Sequence, residues 1–299
     1  MRLLDSHLHL WDPDRFDYAW LEGPLRARFA VHELRASAIR GFEEQAAVFV
    51  QAECAPTQWV DEAWWVAGIA AETGVRGIVA AARLDRGDET ATQLAVLADV
   101  PLVVGVRHLL QGEPDGLATS PAFLDGAALV AERGWTFDAC VRASQLPDVA
   151  GLAAAVPELL IVLDHLGKPE VGTADAPRSP GAAWLRDLDA LAAHPRVSCK
   201  LSGLPAEAGG RWDAAQVVPF LDAALEAFGP DRLMWGSDWP VSAVRPVPAG
   251  AAGRDDTDAI VAAGAREAWA RTVATWAGDR GLDVDAVLWR NAERLYGLG

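Results

Sequence analysis

The chain alternates short apolar runs with stretches of helical apolar spacing, and this alternation limits its possible folds more than any other feature. The apolar runs, predicted as strands, cover residues 3–11, 46–53, 77–85, 101–109, 135–141, 159–169, 197–203 and 232–241. Strands that are apolar almost throughout are buried on both faces, and connecting helices make neighbouring strands parallel. Eight such units in 299 residues predict an α/β fold, a (β/α)8 barrel, as a single domain over residues 1–299.

The main alternative is an open doubly wound sheet, which usually carries a glycine-rich phosphate turn after its first strand. Here the first strand ends in HLHLWDP, which contains no glycine. The sequence therefore disfavours both that type of sheet and a nucleotide cofactor.

The predicted carboxyl ends of the strands hold most of the unusual polar residues of the chain. His7 and His9 are two residues apart in a strand, so both imidazoles are expected to point to one face. The carboxyl ends of the strands share one mouth in a barrel, and catalytic residues collect there. The other strand ends contribute Gln51, Glu53, Arg83, Asp85, Arg107, His108, Asp138, Asp164, His165, Lys200, Ser202, Ser237 and Asp238.

Asp238 follows the eighth strand and precedes Trp239 and a proline, so the chain turns sharply there. The carboxylate could simply cap a turn, but opposite a histidine cluster it is suited to accept a proton from water or to ligate a divalent metal. His165 would supply a third imidazole, or it could be a structural histidine that bonds to Asp164.

Two cationic residues are also candidates for the mouth. Lys200 lies in an apolar run, where it must find a carboxylate or a ligand oxygen. We expect it to face the mouth, and we expect Lys200→Met to weaken substrate binding without unfolding the barrel. Arg107 offers a fork of donors for a carboxylate or a carbonyl oxygen, or it could bridge to Asp138 or Asp85.

The charge of the chain limits its partners. There are 42 acidic and 26 basic residues, a formal charge of −16, which repels phosphate backbones and anionic lipids. We find no signal-peptide pattern and no apolar run long enough to cross a bilayer, so we expect a soluble cytoplasmic protein without nucleic-acid or membrane partners. Three cysteines in apolar runs, Cys54, Cys140 and Cys199, are predicted to be reduced core residues.

Aromatic residues accompany the polar clusters and indicate the type of ligand. Aromatic walls suit an uncharged ring, and the neighbouring polar side chains could bond its hydroxyls. The predicted aromatic contacts are Trp11, Tyr18, Trp20 and Trp239, and the predicted polar contacts are Gln51, Glu53, Arg107 and Lys200.

Taken together, the motifs resemble a known family. They are DSHLHLW, VQAE, GVRH, DHLGKP, KLSG, FGPDRLMWGSDWPV and the terminal NAERLYGL, in this order along the whole chain. They are similar to the amidohydrolase-related lactonases, the branch of the amidohydrolase superfamily that includes L-fuconolactonase, L-rhamnonolactonase and 2-pyrone-4,6-dicarboxylate lactonase. The resemblance implies a (β/α)8 barrel that opens a lactone ring by hydrolysis.

The resemblance also implies roles for individual residues. His7 and His9 match the pair on the first strand, His165 matches the later histidine, and Asp238 matches the aspartate that deprotonates water. Arg107, Gln51 and the region of Tyr18 match positions around the substrate.

The resemblance is compatible with enzymes that bind one metal ion and with enzymes that bind none. Lys200 stands where metal-dependent amidohydrolases often have another histidine, and there is no signature of a carbamylated lysine. Two alternatives follow from the family. Either one Zn²⁺ or another divalent ion is held by His7, His9, His165 and Asp238, or the enzyme is independent of metal and the histidines polarise the carbonyl directly.

The sequence as a whole predicts a carboxylic-ester hydrolase of carbohydrate metabolism that opens a small neutral aldonolactone to the hydroxy acid. The alternatives are a hydrolase of a carboxylated, pyrone-dicarboxylate-like lactone, a metal-dependent decarboxylase of the same superfamily, and a barrel that has lost its chemistry. The expected partner is a small-molecule substrate, and the chain could be a monomer or a homo-oligomer.

Overall fold

The computed structural model describes residues 1–246 and 259–299, and its centre is a barrel of eight parallel strands. The strands are β1 (Arg2–Leu8), β2 (Glu44–Val50), β3 (Val75–Ala81), β4 (Val103–Arg107), β5 (Thr136–Ala139), β6 (Leu160–Leu163), β7 (Val197–Leu201) and β8 (Leu233–Trp235). Each strand pairs with the next along the chain. The predicted α/β barrel and all eight predicted strands are therefore confirmed.

The barrel closes between its first and last strands through the segments that follow them. Leu8 forms a parallel bridge with Trp239. The backbone N–H of Asp238 donates to the carbonyl of His7 at 2.8 Å, and the N–H of His9 donates to the carbonyl of Trp239 at 2.9 Å. The same hydrogen bonds hold the segment that carries Asp238 against the two histidines of β1.

Helices cover the outside of the barrel, as the alternation predicts. They are α1 (Val31–Ala36), α2 (Trp59–Thr73), α3 (Asp88–Leu97), α4 (Pro121–Glu132), α5 (Leu146–Ala155), α6 (Ala182–Ala192), α7 (Leu204–Glu207), α8 (Ala214–Phe228), α9 (Ala265–Asp279) and α10 (Asn291–Leu295). The short helices α1 and α7 were not predicted, because six and four residues are too few to show a 3.6-residue period. No helix in the described ranges is long and apolar enough to cross a membrane.

Alternating side chains of the strands build two hydrophobic cores. On β2, Val48 and Val50 belong to a small cluster that also contains Leu4, Val162 and Met234 from other strands. Ala47 and Phe49, between them, belong to the large cluster shared with the helices. Residues of opposite parity on a strand face opposite sides of the sheet, so the small cluster fills the barrel and the large one lies outside it.

The small cluster also includes residues from the carboxyl-terminal part of the chain, among them Trp289 and Tyr296. The Tyr296 hydroxyl donates to Oδ2 of Asp138 at 2.9 Å, in the buried interior. The residue directly after the last helix therefore reaches the charged groups inside the barrel.

An irregularity in β1 decides which way its histidines point. The register of β1 against β2 shifts between Asp5 and Leu8. Leu4 belongs to the inner cluster, whereas Asp5 accepts hydrogen bonds from Arg266 of the outer helix α9 at 2.9 and 3.1 Å. Strict alternation would put His7 on the same side as Asp5, so the shift is what turns His7 into the barrel.

Candidate active site

Three imidazoles and one carboxylate converge at the carboxyl end of the barrel. The Nε2 atoms of His7 and His9 lie 3.1 Å apart. Oδ1 of Asp238 lies 3.4 Å from Nε2 of His9 and 3.8 Å from Nε2 of both His7 and His165. All four side chains are buried. The structure thus brings together the four residues that the sequence singled out as catalytic or metal-ligating.

Hydrogen bonds on the far side of each ring fix the orientation of the imidazoles. Nδ1 of His9 lies 2.8 Å from the carbonyl oxygen of Val50, which can only accept, so Nδ1 carries the proton and Nε2 presents a lone pair to the cluster. Nδ1 of His165 lies 2.9 Å from the hydroxyl of Ser202. Burial lowers the pKa of His165 to about 4 and lowers that of His7 well below its ordinary value, so both rings are neutral near pH 7.

The carboxylate of Asp238 is held in one orientation. Its Oδ2 accepts a hydrogen bond from the Ser242 hydroxyl at 2.7 Å, which leaves Oδ1 facing the imidazoles. Burial by itself would raise the pKa of Asp238, but the neighbouring imidazoles, first His165 and then His9, outweigh burial and hold this pKa below its usual range. Asp238 is therefore a carboxylate near pH 7, which is the form that a proton acceptor needs.

Two glycines allow the histidines to lie this close to the neighbouring strands. A Cβ on Gly236 would come within 2.8 Å of Cβ of His7. A Cβ on Gly203, whose φ is +73°, would come within 2.5 Å of the ring of His165. Larger residues at either position would push an imidazole out of the cluster.

The donor set fits one divalent cation. Tetrahedral zinc with bonds of about 2.0–2.1 Å requires ligand atoms roughly 3.3 Å apart, and the separations among His7, His9 and Asp238 run from 3.1 to 3.8 Å. His7, His9 and Asp238 form one compatible group of donors, and His7, Asp164 and His165 form a second that shares His7. Neutral imidazole nitrogens and a carboxylate are also the ligand types that zinc prefers.

Lys200 lies beneath the imidazoles and is fully buried. Its Nζ is 2.5 Å from Oδ2 of Asp138, 3.0 Å from Oδ1 of Asp164 and 3.1 Å from Nδ1 of His7. These acids raise the pKa of Lys200 despite the opposing effect of burial, so it remains an ammonium. Lys200 was expected to face the mouth, but it lies in the barrel interior beneath the imidazoles and does not line the cavity, because its donors are occupied by protein groups and none of it is exposed.

A cavity of about 400 Å³ opens above the cluster. Besides Trp20, five of the predicted site residues line it, namely His9, Glu53, Arg107, His165 and Asp238. Trp20 also lines it, donates from Nε1 to the carbonyl of Ala52 at 2.7 Å and is 36% exposed. The cavity is large enough for a single sugar-sized ring, and Trp20 is its aromatic wall.

Arg107 is the buried cation of the cavity. It donates to the carbonyl of Gln51 at 2.6 Å, and its Nη1 lies 3.6 Å from Oδ2 of Asp164. It therefore pairs with Asp164, which was not the acid expected from the sequence. Its Nε has no hydrogen-bond partner among the described residues, although it is buried.

Four predicted substrate contacts lie behind the cavity wall, and the structure corrects these predictions. Gln51 is fully buried and bonds both the carboxylate and the backbone N–H of Glu53, at 2.7 and 2.6 Å. Trp11 is fully buried and donates to two backbone carbonyls. Trp239 is 2% exposed and packs edge-on against Phe29, and Tyr18 donates to Glu62. These residues support the wall but do not line it.

Two residues that the sequence did not identify belong to the site. Lys168 and Glu207 line the cavity from the segments after β6 and β7. The strand-end pattern could not reveal them, because they stand four or more residues beyond their strands. Asp164, which that pattern did include, lies directly before His165 and bonds both His7 and Lys200.

The backbone at the cavity is unusual. Six non-glycine residues in the described ranges have positive φ, and four of them line the cavity: Glu53 (57°), His165 (54°), Lys168 (52°) and Asp238 (51°). A left-handed conformation costs a residue with a Cβ roughly 1 kcal/mol or more, and such strain concentrates at functional sites.

The other predicted strand-end residues, Arg83, Asp85 and His108, do not line the cavity and form a separate charged cluster with Glu113.

Glu62 gives a testable pH dependence to the cavity wall. It is buried, accepts hydrogen bonds from Tyr18 and from the backbone N–H of Ala52, and burial raises its pKa to about 7. Between about pH 4.5 and 7 the folded protein thus binds this proton while the unfolded chain has lost it, so the free energy of unfolding falls as pH rises.

We therefore expect the stability advantage of the wild type over Glu62→Gln to shrink by about 2 kcal/mol between pH 5 and pH 8. Urea unfolding of both proteins across this pH range measures the effect. Parallel stability curves for the two proteins would contradict it.

The sequence and the fold were compared with known proteins. Residues 4–298 match the family described as Amidohydrolase. An L-fucono-1,5-lactonase of Burkholderia multivorans is 35% identical over 251 residues, which cover 80% of this chain and 82% of the relative. A 2-pyrone-4,6-dicarboxylate hydrolase of Comamonas testosteroni is 32% identical over 119 residues, 38% of each chain.

A solved structure has the same fold over its full length. It is an amidohydrolase from Burkholderia multivorans with bound zinc, with a TM-score of 0.79, 32% identity and complete coverage of both chains.

Proposed function

Because this chain belongs to the amidohydrolase family, we propose that it is a lactonase that hydrolyses a small, neutral, hydroxylated lactone to the hydroxy acid. The observation that carries the proposal is the convergence of three imidazoles and the ionised Asp238 on one point at the floor of a cavity. The similar proteins are named as a lactonase and as a pyrone-dicarboxylate hydrolase. These names support our proposal that the bond cleaved is the ester bond of a ring.

Asp238 acts on water in this proposal. Its Oδ1 faces the cavity floor and is ionised, so it can take a proton from a water molecule that attacks the lactone carbonyl. Attack forms a bond from the water oxygen to the carbonyl carbon, and collapse breaks the bond from that carbon to the ring oxygen. The proton held by Asp238 then passes to the departing ring oxygen, which becomes the hydroxyl of the product.

The negative charge that develops on the carbonyl oxygen needs stabilisation. Arg107, the buried cation that lines the cavity, can stabilise this charge electrostatically. A lactone has a leaving group that protonation makes easy to expel, so one base and a polarised carbonyl suffice. His7, His9, His165 and Asp238 would hold one divalent ion, which supplies Lewis-acid polarisation of the carbonyl when bound.

We expect at most one tightly bound divalent ion per chain. The second donor group, His7, Asp164 and His165, lies against the ammonium of Lys200, whose Nζ is 3.0 Å from Asp164 and 3.1 Å from His7. A second cation there would meet this buried positive charge.

Elemental analysis after incubation with excess zinc and gel filtration measures the stoichiometry. Two retained ions per chain would refute the expectation. Zero ions with full activity would show that the imidazoles bind the substrate by hydrogen bonds.

The charges of the cavity favour a neutral substrate. Glu53, Glu207 and Asp238 provide carboxylates, whereas Arg107 and Lys168 provide cations. The positive charge of Arg107 is already opposed by buried Asp164. A substrate with two carboxylates would therefore enter a cavity without surplus positive charge.

A panel of substrates at equal concentration tests the proposed function through proton release. We expect at least one aldonolactone to be hydrolysed faster than any dicarboxylated lactone or simple amide. Preference for the dicarboxylated lactone would favour the alternative that the Comamonas relative represents. Failure to hydrolyse any lactone would exclude the proposed function and make a decarboxylase the next candidate to assay.

A further inference from the structure

The chain contains only two lysines, and both are at the active site. Lys200 is committed to the buried acids below the imidazoles, but Lys168 lines the cavity and is half-buried. Nζ of Lys168 donates to Oε1 of Gln111, a neutral amide, and no carboxylate of the described residues lies within ion-pair distance of it. An ammonium has three N–H donors, so at least one remains for a ligand.

The backbone of Lys168 supports a functional role for its side chain. Its φ is 52°, at the end of the turn Asp164–Gly167 that also carries His165. Glycine would adopt this conformation without strain, yet the position holds a lysine. The left-handed turn therefore fixes the direction of the lysine relative to His165.

Glu207 is the counterpart of Lys168 at the mouth of the cavity. It ends the short helix α7, which follows β7, and it lines the same cavity. Within residues 1–246 and 259–299 its carboxylate accepts no hydrogen bond and forms no ion pair. Burial raises the pKa of Glu207, the charge of Lys168 lowers it, and Asp238 raises it, so Lys168 and Asp238 both lie within electrostatic range of Glu207.

We propose that Lys168 and Glu207 together bind one hydroxyl group of the substrate and so determine specificity for a hydroxylated lactone. A hydroxyl is the small neutral group that can accept from an ammonium and donate to a carboxylate at the same time. A ligand carboxylate in this place would be repelled by Glu207, and a ligand ammonium would be repelled by Lys168. A ring carbon without a hydroxyl would leave both charged groups without a ligand partner.

This inference rests on the proposed lactonase function and deepens it, because it names the residues that bind the hydroxylated side of the substrate. Asp238 and the imidazoles act on the ester, whereas Lys168 and Glu207 recognise the polyol part. A site that hydrogen-bonds a substrate hydroxyl discriminates against the analogue that lacks it.

The test compares two six-membered lactones, an aldono-1,5-lactone and unsubstituted δ-valerolactone. The proteins are the wild type, Lys168→Met, Glu207→Gln, the double variant, and Glu170→Gln as a control. Glu170 is an exposed acid two residues from Lys168 that pairs with Arg178 instead of lining the cavity.

We expect each single variant to lower the ratio of the two kcat/KM values, hydroxylated over unsubstituted, about tenfold, mainly through KM of the aldonolactone. The double variant should lose little more than either single variant, because the three groups form one hydrogen-bonded unit. The control should keep the wild-type ratio. An unchanged ratio in both single variants, or equal losses on the two lactones, overturns the inference.

Binding of L-fucose, a sugar with ring hydroxyls and no ester, provides a readout that does not depend on turnover. We expect calorimetry to show at least fivefold weaker binding of L-fucose to Lys168→Met and to Glu207→Gln than to the wild type. If the wild type hydrolyses no lactone, the proposed function fails. The calorimetric measurement still shows whether Lys168 and Glu207 bind a hydroxyl group. Equal affinity in all proteins counts against it.

Discussion

Asp238→Asn should lower kcat/KM for a lactone substrate by about a hundredfold or more and leave the protein folded. The substitution keeps the shape of the side chain but removes the negative charge and the basic Oδ1 that faces His7, His9 and His165. Initial rates of proton release measure the loss, and circular dichroism checks the fold. A folded variant with wild-type turnover would eliminate Asp238 as the base.

Two controls separate the possible roles of Asp238. Asp231→Asn removes a carboxylate from the turn before β8, away from the cavity, and should leave the rate unchanged. Metal content distinguishes proton transfer from ligation, because a ligand role predicts that Asp238→Asn also loses its ion. Retention of the ion together with loss of rate would assign Asp238 to the proton.

Lys200→Met should lower the free energy of unfolding by about 3–5 kcal/mol, the usual result of removing one partner from a buried ion pair. Nζ of Lys200 lies 2.5 Å from Asp138 and 3.0 Å from Asp164, and all three side chains are fully buried. Methionine fills most of the same volume but leaves the two carboxylates without their shared counter-charge. The sequence alone predicted a loss of substrate binding without unfolding, whereas the buried ion pairs lead us to expect a loss of stability.

Urea unfolding of the wild type and Lys200→Met measures this effect. Combining Lys200→Met with Asp138→Asn removes one of the two uncompensated charges and should recover part of the lost stability. The combined variant also allows the measurement if the single variant does not fold. A loss below about 1 kcal/mol in Lys200→Met would show that the two acids do not depend on the ammonium.

The sequence was most informative where a simple period controls the structure. Apolar runs separated by helical spacing led to eight strands in the correct order, because strand and helix periodicity are local properties of a chain. The same reasoning failed for α1 and α7, which are too short to show a period.

The contacts of individual site residues were harder to predict. Some polar residues at strand ends share the mouth, among them His9, His165 and Asp238, yet Gln51, Trp11, Tyr18 and Trp239 lie behind its wall. Position along a strand tells which end of the barrel a residue occupies. It does not tell whether a neighbour, such as Glu53 above Gln51, stands between that residue and the cavity.

By itself, the sequence determined the barrel and the meeting of His7, His9, His165 and Asp238, because the carboxyl ends of parallel strands must lie at one edge of the sheet. Only the tertiary structure decided the partners of these residues. The register shift in β1 turns His7 inward, and Lys200 finds Asp138 and Asp164 across the barrel. Such contacts join residues far apart in the chain, 193 positions for Lys200 and His7, so no local pattern records them.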